Sequence, residues 1–370
     1  MATNWQRRLR RWLDAGLIDP ATHDRILEFE HRTGRTSRFR WPVALALALG
    51  ALLIGAGVLL FISAHWDALS PAGRMSLAVL LVAVFHVAGT LVAGRFEALA
   101  TALHALGTIA LGGGIFLTGQ IFNLAENWPA AFLMWAAGAG FGYLLMRDWP
   151  QLSLTAILVP WWLSAEWVAR HPREAPSVVC SFLLLMAFSY LTALWPERVS
   201  DERRALCILG SIAILPLGVL AAGVPLSDRR PPPPADAATW AAWLLALLTP
   251  LGVAVLLRGR KAWLNVVAAA WVAVLALAAR EHWTLAVHAW CAVGAAGLTA
   301  WGLSESRGER VNLGVAGFAI TVLFFYFSSV MDKLGRSASL IVLGVLFLAG
   351  GWLLEKSRRR LIAQIRGGSV

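Results

Sequence analysis

The chain is a succession of apolar runs. Twelve stretches of about twenty residues carry almost no charge, and about twenty apolar residues make a helix long enough to cross a bilayer core. They fall at roughly 41–64, 73–93, 97–119, 128–146, 151–169, 175–195, 203–223, 237–257, 261–279, 283–302, 309–329 and 336–354. Most connections between them are short, so consecutive spans are expected to be antiparallel neighbours. Hydrocarbon offers the backbone no hydrogen-bond partner, which leaves helices as the way to cross it. The expected fold is therefore all-α, a polytopic membrane helical bundle of about 12 transmembrane helices. Composition agrees: 58% of residues are hydrophobic and 14% charged, where a soluble domain has about a quarter charged. A water-soluble globular fold is excluded for most of the chain, and disorder with it.

Residues 1–40 stand apart because they are charged throughout. They lack the apolar core of a cleavable signal peptide. One helix is expected over about Asn4 to Ala15, with Trp5, Leu9, Trp12 and Leu13 on one face and Gly16 at its end. Asp19 then reads as an N-cap with Pro20 in the first turn of a second helix carrying Ile26, Leu27 and Phe29. The pair forms a short N-terminal cytoplasmic helical hairpin that docks on the membrane domain or on a protein partner. A DNA reader needs a third helix and a recognition face, so no nucleic acid is expected. The run Pro231–Pro234 after Arg229 and Arg230 marks a Pro-rich extracytoplasmic loop, 224–236. It divides about seven spans (41–223) from about five (237–354), and 355–370 form a basic tail.

Orientation follows from the 32 basic residues, of which 29 are arginine. With the N-terminus in the cytoplasm, 24 fall inside and eight outside. Arg258 and Arg310 are counted among the inside loop charges. This positive-inside bias places both termini on the cytoplasmic side of a bacterial inner membrane, with anionic lipid as a partner of the arginines. Tryptophans such as Trp41, Trp66, Trp128, Trp149 and Trp301 sit at expected helix ends, where indole prefers the interface. Pro160, Pro216 and Pro250 are expected to kink their helices, and the run Gly112–Gly114 is a candidate break. Cys180, Cys207 and Cys291 lie in apolar runs with no metal spacing and read as small hydrophobes.

Three strings carry a family resemblance. Trp12-Leu13-Asp14-Ala15-Gly16-Leu17-Ile18-Asp19 with Arg25-Ile26-Leu27 is one. Ile62-Ser63-Ala64-His65-Trp66-Asp67-Ala68-Leu69-Ser70-Pro71 and Gly119-Gln120-Ile121-Phe122-Asn123-Leu124 are the others. Over about residues 5 to 150 the chain resembles the bacterial membrane family catalogued as "domain of unknown function 2157". The resemblance implies a multi-pass bacterial membrane protein. It implies no reaction and lends no catalytic residue.

Polar residues in or beside the spans are the candidates for function. Apart from Glu97 and Glu309 at the first positions of their runs, Glu166 is the one acid placed within a span, about a turn from its outer end. The expected topology puts His65, Trp66, Asp67 and Arg74 at the same outer level as Gln120, Asn123, Glu126 and Glu166. These eight form a candidate ligand pocket with aromatic walls from Trp66, Trp128, Trp162 and Trp167. The bland reading is that helix ends are polar because they meet headgroups and water. His86 and His104 are each nine residues from Arg95, hence at matching depth in an antiparallel hairpin. They are candidates for a proton relay or a sensor, against the bland reading of hydrogen-bonded interior histidines. Two ligands do not complete a metal site, and no metal or cofactor is expected. No GxSxG, P-loop or GxGxxG motif follows the pattern its chemistry needs. A non-catalytic role is favoured over an enzymatic one. The expected activity is that of a secondary transporter or flippase of a small or amphipathic solute or lipid. A membrane sensor or assembly factor using the hairpin is the alternative, and an outer-face enzyme using His65 and Asp67 a third.

Overall fold

The computed structural model describes residues 9, 12–34, 70–122, 127–172, 175–194, 200–227, 236–280, 284–327, 344–345 and 348. Among these the ordered structure is helical, and no strand occurs. The chain divides into two compact units, Met1–Arg74 and Met75–Val370.

In the first unit, α1 covers Pro20–Gly34. Its start is built by Asp19, whose Oδ2 accepts the Thr22 N–H at 3.3 Å, the bond expected of an N-cap. Ser70 does the same at the start of α2 (Pro71–Val92), where its Oγ accepts the Gly73 N–H at 3.1 Å.

The second unit continues with α3 (Glu97–Ile121), α4 (Trp128–Met146), α5 (Trp149–Arg170), α6 (Ala175–Leu191), α7 (Asp201–Ser227), α8 (Ala237–Arg258), α9 (Trp263–Arg280), α10 (Thr284–Ser304) and α11 (Gly308–Phe325). These ten helices, α2 to α11, coincide with ten of the twelve apolar runs. The runs 41–64 and 336–354 lie outside the described residues, apart from 344–345 and 348. Eight described stretches are long and apolar enough to cross a membrane, with Ala237–Ala279 counted as one stretch of 43 residues. At 1.5 Å per residue a straight helix of that length would be about twice the hydrocarbon thickness. It is in fact two helices. Gly259 takes φ +60°, which favours glycine, and residues Gly259–Ala262 form a 3₁₀ turn.

The contacts of α6 show that the chain reverses there. Along α6, Val178, Phe182 and Met186 cluster with Ala242 and Ala246 of α8. The Ser189 hydroxyl then donates to the Pro250 carbonyl at 2.8 Å, and the Thr192 carbonyl accepts from Arg258 at 2.9 Å. Numbers rise together, so α8 runs parallel to α6. Against α9 they run oppositely: Thr192 meets Asn265 at 3.0 Å, and Phe188 meets Trp271 edge-on with ring centroids 6.2 Å apart.

Burial is concentrated on α6, where eleven of its 17 residues are buried. Its far face joins Ile214 of α7, Val272 and Leu275 of α9, Val287 of α10 and others in the largest apolar core. In contrast α2 buries only Gly89 among its described residues and exposes Val79, Leu80, Val84, Val87 and Leu91. The Gly112–Gly114 run does not break α3, which is continuous over 25 residues. Gly112 is instead the seat of the Trp135 ring from α4. The chain is thus a membrane protein with several apolar helices.

Candidate functional site

The eight residues of the expected outer pocket are only partly within view. His65, Trp66, Asp67, Asn123 and Glu126 lie outside the described residues. Arg74 belongs to the first unit, in the first turn of α2. Gln120 is exposed near the end of α3, where with Trp128 it lines a groove of about 880 Å³ between α2, α3 and α4. The rest of that wall is apolar apart from Thr118 and Asn127. Glu166 does not line it. Its carboxylate is held within its own helix, by Arg170 at 2.7 Å and by the Trp162 indole N–H at 3.3 Å. An ion pair one turn apart on a helix satisfies the charge without a ligand. Trp167 stacks on His171 with ring centroids 3.9 Å apart.

The structure brings His86 and His104 into contact. Their Nδ1 atoms are 3.1 Å apart and their rings stack with centroids at 5.4 Å. Two glycines make the approach possible. A Cβ at Gly89 would lie 2.8 Å from the His104 ring, and a Cβ at Gly107 2.8 Å from the His86 ring. Each histidine of the hairpin therefore sits on a glycine of the other helix. The neighbours are fixed from α4 and α5. The Trp135 indole donates to the Thr108 carbonyl at 2.8 Å, and the Gln151 amide donates to the His104 carbonyl at 3.2 Å. Gln151 is fully buried, and its Oε1 has no hydrogen-bond partner among the described residues. Asp148 caps α5 by accepting the Gln151 N–H at 3.3 Å. Burial pushes its carboxyl up; the Gln151 N–H and the charge of His104 act in the opposite direction.

A third cluster corrects the placement of two arginines. Arg258 and Arg310 are 3% and 0% exposed, not solvated loop charges. Both ion-pair with Glu305 at 2.5 Å. The Trp301 indole donates to Glu305 at 2.8 Å, and both guanidinium groups lie over its ring, 5.7 and 5.5 Å from the centroid. The same cations, with Arg203, hold the turn just past α6: Arg258 donates to the Thr192 carbonyl, Arg203 to that of Ala193 and Arg310 to that of Leu194. Burial pushes the Glu305 carboxyl up, but hydrogen bonds and charge from Arg258, Trp301 and Arg310 outweigh it and hold the group at about 2. An acid this strongly paired is a lock, not a proton donor. Sequence reading missed it because Arg258 is 47 residues from Glu305, and both look like loop charges.

A further feature is an open-sided cavity of about 400 Å³ lined by α6, α7, α9, α10 and α11. Leu184, Phe188, Trp271, Leu298 and Phe324 form much of its wall, and His288, Cys291 and Thr321 add its polar edges. No group of three or more His, Cys, Asp or Glu residues suited to a metal occurs among the described residues.

Residues 10–152 match the family model described as "Predicted membrane protein (DUF2157)". This part of the chain is similar to that family. The match spans α1 to α4 and the start of α5, so it includes the histidine pair, Asp148 and Gln151. It ends before the arginine lock and the 400 Å³ cavity. No curated protein and no solved structure matches the chain.

Proposed function

We propose that the protein is a carrier of an amphipathic, largely apolar molecule within the membrane, acting as a secondary transporter or flippase. The observation that carries this reading is the cavity among α6, α7, α9, α10 and α11. Ligand sites are concave, measure about 300–1,000 Å³, and combine apolar walls with a few polar groups. This cavity has that size and that wall. Its polar edge is narrow, which favours a molecule with an acyl or ring body and a small polar head, such as a lipid. The groove at Gln120 and Trp128 supplies a second apolar surface with one polar end. The arginine excess supports a bacterial inner-membrane placement with both termini cytoplasmic.

The test uses purified full-length protein in lipid nanodiscs. Native mass spectrometry is expected to find a co-purified lipid-like molecule, and reconstituted liposomes to move a fluorescent lipid across the bilayer. Gly317→Leu projects a side chain into the cavity and is expected to abolish both signals. Wild-type protein that retains no such molecule and moves no lipid would sink the reading. So would a Gly317→Leu variant that binds and transports like wild type.

A further inference from the structure

We infer that His86 and His104 form one site for a single exchangeable proton. This site lies among α2 to α5 and is independent of the cavity among α6, α7 and α9 to α11.

The geometry limits what the pair can hold. Two Nδ1 atoms 3.1 Å apart share one hydrogen: one ring donates its Nδ1–H, and the other accepts it on a lone pair. In the neutral pair the donor ring has a free Nε2, while the acceptor ring carries its hydrogen on Nε2. An arriving proton binds the free Nε2. That ring becomes an imidazolium, and its Nδ1–H becomes a charge-assisted donor to the neutral partner, a stronger bond than before. No bond is lost, and the pair gains one positive charge. A second proton has only the accepting Nδ1 lone pair to occupy. Taking it breaks the inter-ring bond and leaves two cations face to face.

Groups from all four helices surround the pair. On α2 and α3 the Thr90 and Thr108 hydroxyls turn back to the carbonyls of His86 and His104. From α4 comes the Trp135 indole, already bonded to Thr108. From α5 come Gln151, with its unpartnered buried Oε1, and Asp148, whose carboxylate feels the His104 charge. Arg95, Glu97 and Arg147 are the other charges at this end of the four helices, and all three are exposed. Asp148 is thus the half-buried acid able to stabilise a cation at His104. Histidine is also the side chain whose ordinary titration range lies nearest physiological pH.

Full-length protein with ¹⁵N-labelled histidine in nanodiscs provides the test. Single His→Phe variants assign the two ring signals. The expected result is that both signals move together in a first step worth one proton, and that the second step is separate by more than about one pH unit. His104→Phe removes the partner ring, and with it the charge-assisted bond, and shifts the His86 titration downward. Asp148→Asn keeps the cap, since asparagine caps as well as aspartate, and lowers the first step by about one pH unit. Two rings that titrate in a single step as independent groups would overturn the shared site. So would rings that do not titrate between about pH 4 and pH 9. An unshifted first step in Asp148→Asn would remove Asp148 from it.

Discussion

Between α2 and α3 two histidines meet ring to ring, with no acid among the described residues bonded to either. At the end of α6 two arginines close on one glutamate. Both clusters join polar groups from different helices, half-buried at the histidines and buried at the arginines, yet their chemistry differs. The histidine rings can be neutral and still satisfy each other through one hydrogen. The arginines cannot be neutral, so Glu305 has to stay charged beside them. Their surroundings differ in the same sense. The arginine lock sits at the foot of the most buried helix and ties α6, α7, α8, α10 and α11 together. The histidine pair belongs to a hairpin whose α2 buries a single residue, Gly89. One cluster fixes the bundle and the other is placed where a change of charge need not dismantle it.

Removing Glu305 is the strongest way to break this contrast. Glu305→Gln leaves two nearly inaccessible guanidinium groups facing one another, and stripping one partner from a buried ion pair costs about 3–5 kcal/mol. Thermal unfolding in detergent should show a loss of that order. A loss below about 1 kcal/mol would mean that the lock behaves as a surface pair, and the comparison would collapse.

The same residue sets the acid response. Its folded-state value is near 2, below the ordinary carboxylate value of 4.5. A depressed acid stabilises fully above its unfolded value and loses that stability as pH falls through the folded one. Unfolding temperature is therefore expected to drop between about pH 4.5 and pH 2. Glu305→Gln, already without the charge, should lose this component of the drop. An identical acid profile in wild type and variant would place the acid sensitivity elsewhere.

The membrane bundle was legible in the sequence because hydrocarbon demands long apolar runs, and ten of those runs are helices here. The reversal after Arg258 was legible too, since Gly259, Arg260 and Lys261 interrupt the apolar pattern. The shared depth of His86 and His104 could be counted from Arg95, but the glycines that let them touch gave no separate signal. The arginine lock was hidden for a different reason. A count of basic loop residues assumes that they are solvated, and a charge at a helix end reads the same whether it faces water or a buried glutamate. Only the packing of α8 and α10 around the end of α6 separates these cases.

Two glycine substitutions sharpen the contrast at smaller cost. On α7, a Cβ at Gly210 would lie 2.2 Å from the Leu191 nitrogen and 2.5 Å from the Ala187 carbonyl of α6. Backbone cannot rotate away, so Gly210→Ala should force the helices apart and cost about 1–3 kcal/mol. On α3, a Cβ at Gly107 meets the edge of the His86 ring instead, 2.8 Å from Nε2. A side chain can give way, so Gly107→Ala should cost about 1 kcal/mol, at the low end of overpacking. Its effect belongs in the ring spectrum: His86 is pushed off its seat, the 3.1 Å contact opens, and the two histidines begin to titrate separately. If Gly107→Ala instead destabilises the bundle as much as Gly210→Ala, then α2 and α3 are as rigidly fixed as α6 and α7. The histidine hairpin would then be one more structural clamp.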